Sequence, residues 1–298
     1  MSDITLIFDL PEDELKWWKA TIQGFRNNIV RKPSYYVFKV TGDELGDSSR
    51  FKDDISSSIS TLRENCWNIY LKDEVNFHKE VISHLVMHRD IPRTILEKVI
   101  ENNLLSELEE NRFNQSELFA KLSLVVGDFA GRIMPYIYQL SLSTTNSRRS
   151  RAGSTFEALI DFFITRVYNY PYENQAVLGT KFYSENGVGK MVDGVIPSRQ
   201  AYEQNRSKCL IITMKTTLRE RWQEVVEELN RTNIPHIYLL TLDEGLTEGV
   251  LIQMKSQNIT VVTYHWIKTK YENYDNVIDF DTLFKDEIPH TLNYWTSK

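Results

Sequence analysis

Residues 209–229 read CLIITMKTTLRERWQEVVEEL. Cys209 to Met214 form an apolar run of strand length, Lys215 closes it, and a helical rhythm follows over about 217–231. A strand that is apolar at every position, not at alternate ones, belongs to a sheet covered on both faces. The pattern recurs downstream. IPHIYLLTL (234–242) and NITVVTY (258–264) read as further strands, with a helix at about 244–255 between them. Upstream, AVLGTKFY (176–183) and KMVDGVI (190–196) read as two more, the pair over 175–196 being a candidate antiparallel hairpin. The second half is therefore expected to be α/β, a mixed central sheet flanked by helices.

The first half has a different rhythm. Helical periodicity covers about 11–31, with Trp17, Trp18 and Ile22 as its apolar stripe, then Ile55 to Tyr70, His78 to Met87 and Pro92 to Ile100. SYYVFKV (34–40) reads as a short strand. A long helix follows from about 116, which Pro135 should kink or end. The Ser-, Thr- and Asn-rich run SLSTTNSRRSRAG (141–153) reads as a loop and as the clearest compositional boundary, with a new helix starting near Ser154. Residues 1–140 are thus expected to be a mainly helical region integrated with a core over 141–298.

Composition bounds the function. The chain has 298 residues, 41% of them hydrophobic, with only 8 Pro and 12 Gly, so extensive disorder is not expected. Thirty-five Lys and Arg against 41 Asp and Glu give a net charge of -6. That argues against wholesale coating of nucleic acid but leaves room for a local basic cleft. Cys66 and Cys209 have no zinc-like spacing and read as free thiols in a reducing, intracellular compartment. No run approaches the roughly 18 apolar residues of a membrane span.

Two polar residues interrupt the apolar strands. Asp193 sits inside MVDGVI and Lys215 ends LIITMK, so adjacent strands would bring a carboxylate and an ammonium group to one cleft. The carboxylate suits Mg²⁺ and the lysine suits a water nucleophile or a developing phosphate charge, a combination that points to metal-assisted phosphodiester hydrolysis. Taken alone, such residues at strand ends are more often solvated or paired. Glu220, Glu224 and Glu228 recur every four residues on the next helix, as a source of a further carboxylate or as a solvated acidic face. Glu157, early in the helix after the Arg-rich run, reads as a contributor to a metal site or as an acid favourable near a helix N-terminus. Arg219, Glu220 and Arg221 have the groups that pair with guanine and cytosine edges in a major groove, and equally those of a salt-bridged turn.

In combination and order, SRRSRAGSTFE (147–157), VDGVIPS (192–198), MKTTLRERWQEVVEELN (214–230) and YLLTLDEG (238–245) resemble the type II restriction endonucleases of the EcoRII, PspGI and NgoMIV grouping, which cut at sites with a CC/GG core. The resemblance covers mainly residues 147–245. It implies a PD-(D/E)xK nuclease fold in which Val192 stands for the usual proline and Thr213 for the usual acid, the missing carboxylate being relocated to Glu228. Asp193 and Glu228 become the main Mg²⁺ ligands, Glu157 an accessory one, and Lys215 the residue that orients water and stabilises the transition state. Thr213 contributes position, not charge. Arg219, Glu220 and Arg221 become the base-reading residues and Asn146 a contact near the central pair. Arg63 and Trp67, four apart on a helix, match a pocket for a flipped-out base. Arg148, Arg149 and Arg151 become phosphate contacts.

The implied protein is a homodimer that cuts both strands of double-stranded DNA at an inverted repeat, CCNGG in its core, before the first C, to leave 5′ overhangs. CCWGG and CCGG are the neighbouring alternatives. A companion methyltransferase and a prokaryotic cytoplasmic setting follow. A structure-selective or repair nuclease and a DNA-binding protein that has lost catalysis are the competing readings, the latter resting on Val192 and Thr213.

Overall fold

The structure is a computed structural model and describes residues 7–42, 49–105, 115–185, 192–218, 221–232 and 234–297. The chain divides into two compact units, one of Met1–Lys32 with Asn68–Ser150 and one of Pro33–Trp67 with Arg151–Lys298.

The second unit is built on a six-stranded sheet whose spatial order follows the chain: β1 (Glu173–Asn174), β2 (Gly194–Ile196), β3 (Leu210–Lys215), β4 (Ile237–Thr241), β5 (Ile259–Thr263) and β6 (Val277–Asp279). β1, β2 and β3 pair antiparallel, whereas β3 to β6 are parallel. The sheet is therefore mixed, as the sequence implied. Every residue of β4 is buried, and in β3 only Lys215 is not. That is why these strands lack alternation: helices cover both faces, and a polar side chain has water only at a strand end. The Arg221–Thr232 helix returns from β3 to β4 and the Glu248–Ser256 helix from β4 to β5. Phe156, Phe163, Phe280 and Phe284 are fully buried, and Phe51 packs edge-on against Phe162 and Phe163. The Pro33–Trp67 segment belongs to this unit by hydrogen bonds as well, the Ser56 hydroxyl accepting from His265 N at 3.0 Å.

The first unit is helical. Trp18 and Ile22 are buried as the stripe required, and the Trp18 indole N–H donates to the Tyr136 carbonyl at 2.9 Å while its ring meets Tyr136 edge-on. Pro135 lies at the start of the Met134–Phe162 helix, one turn after the Gln115–Arg132 helix has ended. Among the described residues no helix is long and apolar enough to cross a membrane, and both cysteines are free thiols.

Three local expectations are corrected. SYYVFKV is not a strand but lies in the Pro33–Thr41 helix, where Tyr36, Val37 and Thr41 are buried at helical spacing and Pro33 presets the first φ. AVLGTKFY also lies in a helix, Gln175–Glu185, kinked at Gly179, whose φ of 69° a residue with a Cβ would rarely adopt. The strand that pairs with β2 is instead Glu173–Asn174. SLSTTNSRRSRAG is the interior of the Met134–Phe162 helix, not a loop. Tyr136, Leu140 and Thr144 continue one buried stripe through it, and the Thr145 hydroxyl turns back to the Ser141 carbonyl at 2.9 Å instead of competing for the backbone of a turn.

Candidate active site

Asp193 lies one residue before β2, where the strand ladder continues: its N–H donates to the Ile212 carbonyl at 2.8 Å and its own carbonyl accepts from Gln175 N at 2.9 Å. The side chain turns toward β3. Its Oδ2 accepts from Met214 N at 2.6 Å, with the Thr213 hydroxyl at 3.5 Å. Thr213 is fully buried. Where the acid usual to this motif would add a charge, the threonine offers a hydroxyl to the aspartate across the strand pair.

Lys215 is two residues on from Thr213 and so on the same face of β3, at the strand's carboxyl end and half-buried. In register it stands beside Thr241 of β4. The Met134–Phe162 helix contributes Glu157 and, four residues on, Asp161. All four of these charged side chains interact. Burial raises the Asp193 pKa to about 7; the Met214 N–H and the Lys215 charge pull against that, and Glu157 adds to it. Burial likewise raises Glu157, with Asp161 pushing the same way and Lys215 opposing. Burial raises Asp161 too, against hydrogen bonds from Asn174 and Tyr172, the Asn174 amide lying at 2.7 Å.

Tyr172 completes the cluster. Its ring covers Gly194 so closely that a Cβ built there would lie 2.1 Å from a ring carbon. The glycine after the aspartate is thus required by a contact, not by a turn. The sequence singled out Asp193, Lys215 and Glu157, which the structure brings together, but not Asp161, Tyr172 and Asn174 beside them. The available signal was the i, i+4 spacing of Glu157 and Asp161 beside a buried stripe.

Other sequence-derived positions fall as follows. Glu228 and Arg221 lie on the Arg221–Thr232 helix, but their side chains are outside the described residues, as are Arg219 and Glu220 altogether. On that helix Val225 and Leu229 are buried and Glu224 and Glu227 exposed. Leu218, just before Arg219, is anchored by its N–H to Asp243 Oδ2 at 2.6 Å, and Asp243 also accepts from Gly245 N at 2.9 Å. Arg63 is exposed and Trp67 37% exposed, one turn apart on the Ile55–His88 helix. Asn146 and Arg149 are exposed and Arg151 is half-buried. Arg148 engages buried Glu74 through both carboxylate oxygens, at 2.9 and 3.0 Å from its Nε.

The donor set can be tested against a divalent ion. Two carboxylates withdrawn from water, Asp193 and Glu157, interact with Lys215, and burial and a neighbouring carboxylate lift the pKa of each. Oxygen-only, electron-rich and short of positive charge, the cluster fits Mg²⁺ and offers nothing to a soft metal. Among the described residues no group of three or more such side chains is gathered as a finished metal cage.

A mixed sheet flanked by helices, with a carboxylate and a lysine at the ends of neighbouring strands, defines a nuclease of the PD-(D/E)xK, restriction-endonuclease-like fold. The comparisons narrow the class. The family described as EcoRII C terminal matches residues 113–283. The type II restriction enzyme SsoII of Shigella sonnei is 32% identical over 275 residues, covering 91% of this chain and 81% of that protein. EcoRII of Escherichia coli, also a type II restriction enzyme, is 25% identical over 135 residues, 44% of this chain and 31% of that one. Among solved structures, metal-depleted Ecl18kI in complex with uncleaved DNA superposes with a TM-score of 0.74 at 29% identity, over 94% of this chain and 86% of that one. PspGI in its substrate DNA complex gives a TM-score of 0.51 at 17% identity, a likeness of fold alone. The chain belongs to the EcoRII C-terminal family and is a type II restriction endonuclease.

Proposed function

We propose that this endonuclease makes Mg²⁺-dependent double-strand cuts in DNA at a palindrome with a CC/GG core, CCNGG in its simplest form, before the first C, leaving 5′ overhangs. The observation that carries the catalytic part is the meeting of Asp193 and Lys215 at adjoining strand ends with Glu157 beside them. Asp193 and Glu228 would hold Mg²⁺, with Glu157 accessory. When bound, the ion supplies positive charge against the oxygens of the scissile phosphate.

The protein's own groups do the rest. The Met214 N–H fixes the rotamer of Asp193 so that Oδ1 is left for the cleft. The Lys215 ammonium, carried at the end of a buried strand, orients the attacking water and meets the charge that develops on the phosphoryl oxygens. The new bond is water oxygen to phosphorus and the broken one is phosphorus to O3′, which takes up the proton. The products carry 5′-phosphate and 3′-hydroxyl ends.

Arg219, Glu220 and Arg221 read the C·G pairs of each half-site, with Asn146 near the central pair, Arg63 and Trp67 as the pocket for a flipped base, and Arg148, Arg149 and Arg151 toward phosphates. For Arg148 that role would compete with its bidentate bond to Glu74. Reading an inverted repeat requires two identical recognition clusters, hence a homodimer, to which the helices of the first 140 residues would contribute contacts. A companion methyltransferase and a bacterial cytoplasmic setting complete the reading. SsoII and EcoRII, both bacterial restriction enzymes, and the DNA complexes named for Ecl18kI and PspGI support it.

Digestion of a mixed genomic DNA pool with the purified protein and Mg²⁺, followed by sequencing of the ends, tests it. One recurring palindrome with a CC/GG core and a fixed 5′ overhang is the expected result. Random ends, or cuts directed by nicks and junctions, would overturn it in favour of the repair-nuclease alternative.

A further inference from the structure

Among the described residues, the outer flank of Asp193 is held by one short segment. Residues 172–175 supply the Tyr172 ring on Gly194, the β1 pairing of Asn174 with Gly194, the Gln175 N–H on the Asp193 carbonyl at 2.9 Å, and the Tyr172 hydroxyl 3.4 Å from that same carbonyl. The inner flank is β3, which holds the Asp193 N–H and its Oδ2. The catalytic aspartate is thus clamped between a strand of the main sheet and a two-residue edge strand. An edge that short is rigid only if something else holds it.

That anchor is Asp161. It accepts from the Asn174 amide at 2.7 Å, and its charge acts on the Tyr172 hydroxyl, so both of these groups lie on the clamping segment. Its own helix carries Glu157 one turn earlier. Asp161 therefore joins the element that bears Glu157 to the segment that bears on Asp193. The Tyr172 hydroxyl donates to the Asp193 carbonyl at 3.4 Å, with the Asp161 charge acting on it.

We propose that Asp161 and Tyr172 act together as positioning residues for the active site: through Asn174 and Gly194 they fix Asp193 relative to Glu157. Neither touches substrate in this scheme, and neither is a metal ligand. They set the spacing of the carboxylates that are. The proposal rests on the assignment of Asp193, Glu157 and Lys215 to catalysis made above.

Tyr172→Phe keeps the ring on Gly194 and removes only the hydroxyl, and Asp161→Ala removes the acceptor of the Asn174 amide. With a short duplex carrying the site, each variant should cleave tenfold or more slowly in single turnover. Affinity for the uncleaved duplex in Ca²⁺ should stay within twofold of the parent, since no base or phosphate contact is lost. The Mn²⁺ concentration for half-maximal binding to the protein–duplex complex, read by electron paramagnetic resonance, should rise severalfold in both; a merely structural role would leave this unmoved in a folded variant. Tyr172→Phe that cleaves within twofold of the parent rate with unchanged Mn²⁺ binding overturns the proposal. Should Asp161→Ala fail to fold, Tyr172→Phe alone carries the test. Normal cleavage by Lys215→Ala would instead strike the underlying site assignment, so the two failures are distinguishable.

Discussion

Glu74 in the helical unit and Asp193 in the sheet unit are both carboxylates withdrawn from water, and their surroundings answer the loss of hydration in opposite ways. Glu74 is 3% exposed. Burial pushes its pKa up, but the Arg148 guanidinium and the Tyr70 hydroxyl outweigh that and hold it below the usual range. At Asp193 burial wins, because the backbone N–H and the Lys215 charge are set against a second carboxylate, and the pKa stands at about 7. A buried charge that is fully paired is scaffold. One that is set against a second carboxylate and carries a raised pKa is a candidate functional group. The two regions should therefore respond differently to the same class of mutation.

The largest effect is expected at Lys215, whose charge acts on both Asp193 and Glu157. Lys215→Ala should lower the single-turnover cleavage rate about 10³-fold, the cost of removing a positioned electrostatic group, while specific binding in Ca²⁺ persists. Normal cutting by this variant would remove the functional side of the comparison altogether. Next comes Gly194→Ala, which drives a methyl group into the Tyr172 ring. We expect a loss of about 1–3 kcal/mol in chemical denaturation from overpacking, with cleavage lost as well. Adding Tyr172→Ala should restore stability but not cleavage, which separates the clash from the clamp.

Much of this was legible in the sequence, and the reasons are local. LIITM, IYLLT and ITVVT announce buried parallel strands because no residue in them needs water, and Asp193 and Lys215 stand out against that background. Asp161 did not stand out, since its importance lies in Tyr172 and Asn174, which reach it only across the fold. The run around Arg148 read as a loop because Ser, Thr and Asn favour turns in isolation. In the protein the helix persists, with buried Thr144 and the Arg148 bond to Glu74, 74 residues away in sequence, holding it in place. β6 is three residues long and carries too little pattern to be read.

A smaller effect is expected on the paired side. Arg148→Ala leaves Glu74 buried without its cation and should cost about 1–3 kcal/mol, seen as a lower midpoint in thermal unfolding. The pH dependence has a definite sign. A carboxylate whose pKa is depressed by folding contributes stability that is fully present above its unfolded value and lost as pH falls through the folded one. The parent protein should therefore lose stability toward acid through Glu74, and in Arg148→Ala that part of the acid limb should flatten. Identical acid limbs in the two proteins would mean that Glu74 is not held by Arg148 in solution.

The smallest effect is the one that most sharply separates the two carboxylates. Asp193→Asn should abolish cleavage yet leave the metal-free protein as stable as its parent, or up to about 1 kcal/mol more so. The amide oxygen still accepts from Met214 N, while a buried charge facing Glu157 is removed. In excess EDTA the thermal midpoint should not fall; on adding Mg²⁺ with duplex the parent should gain more than the variant, because only the parent keeps the charge the ion would meet. A marked drop in the EDTA midpoint would show that Asp193 is, like Glu74, a structural carboxylate already paired. The contrast between a buried acid that scaffolds and one that acts would then fail at its central residue.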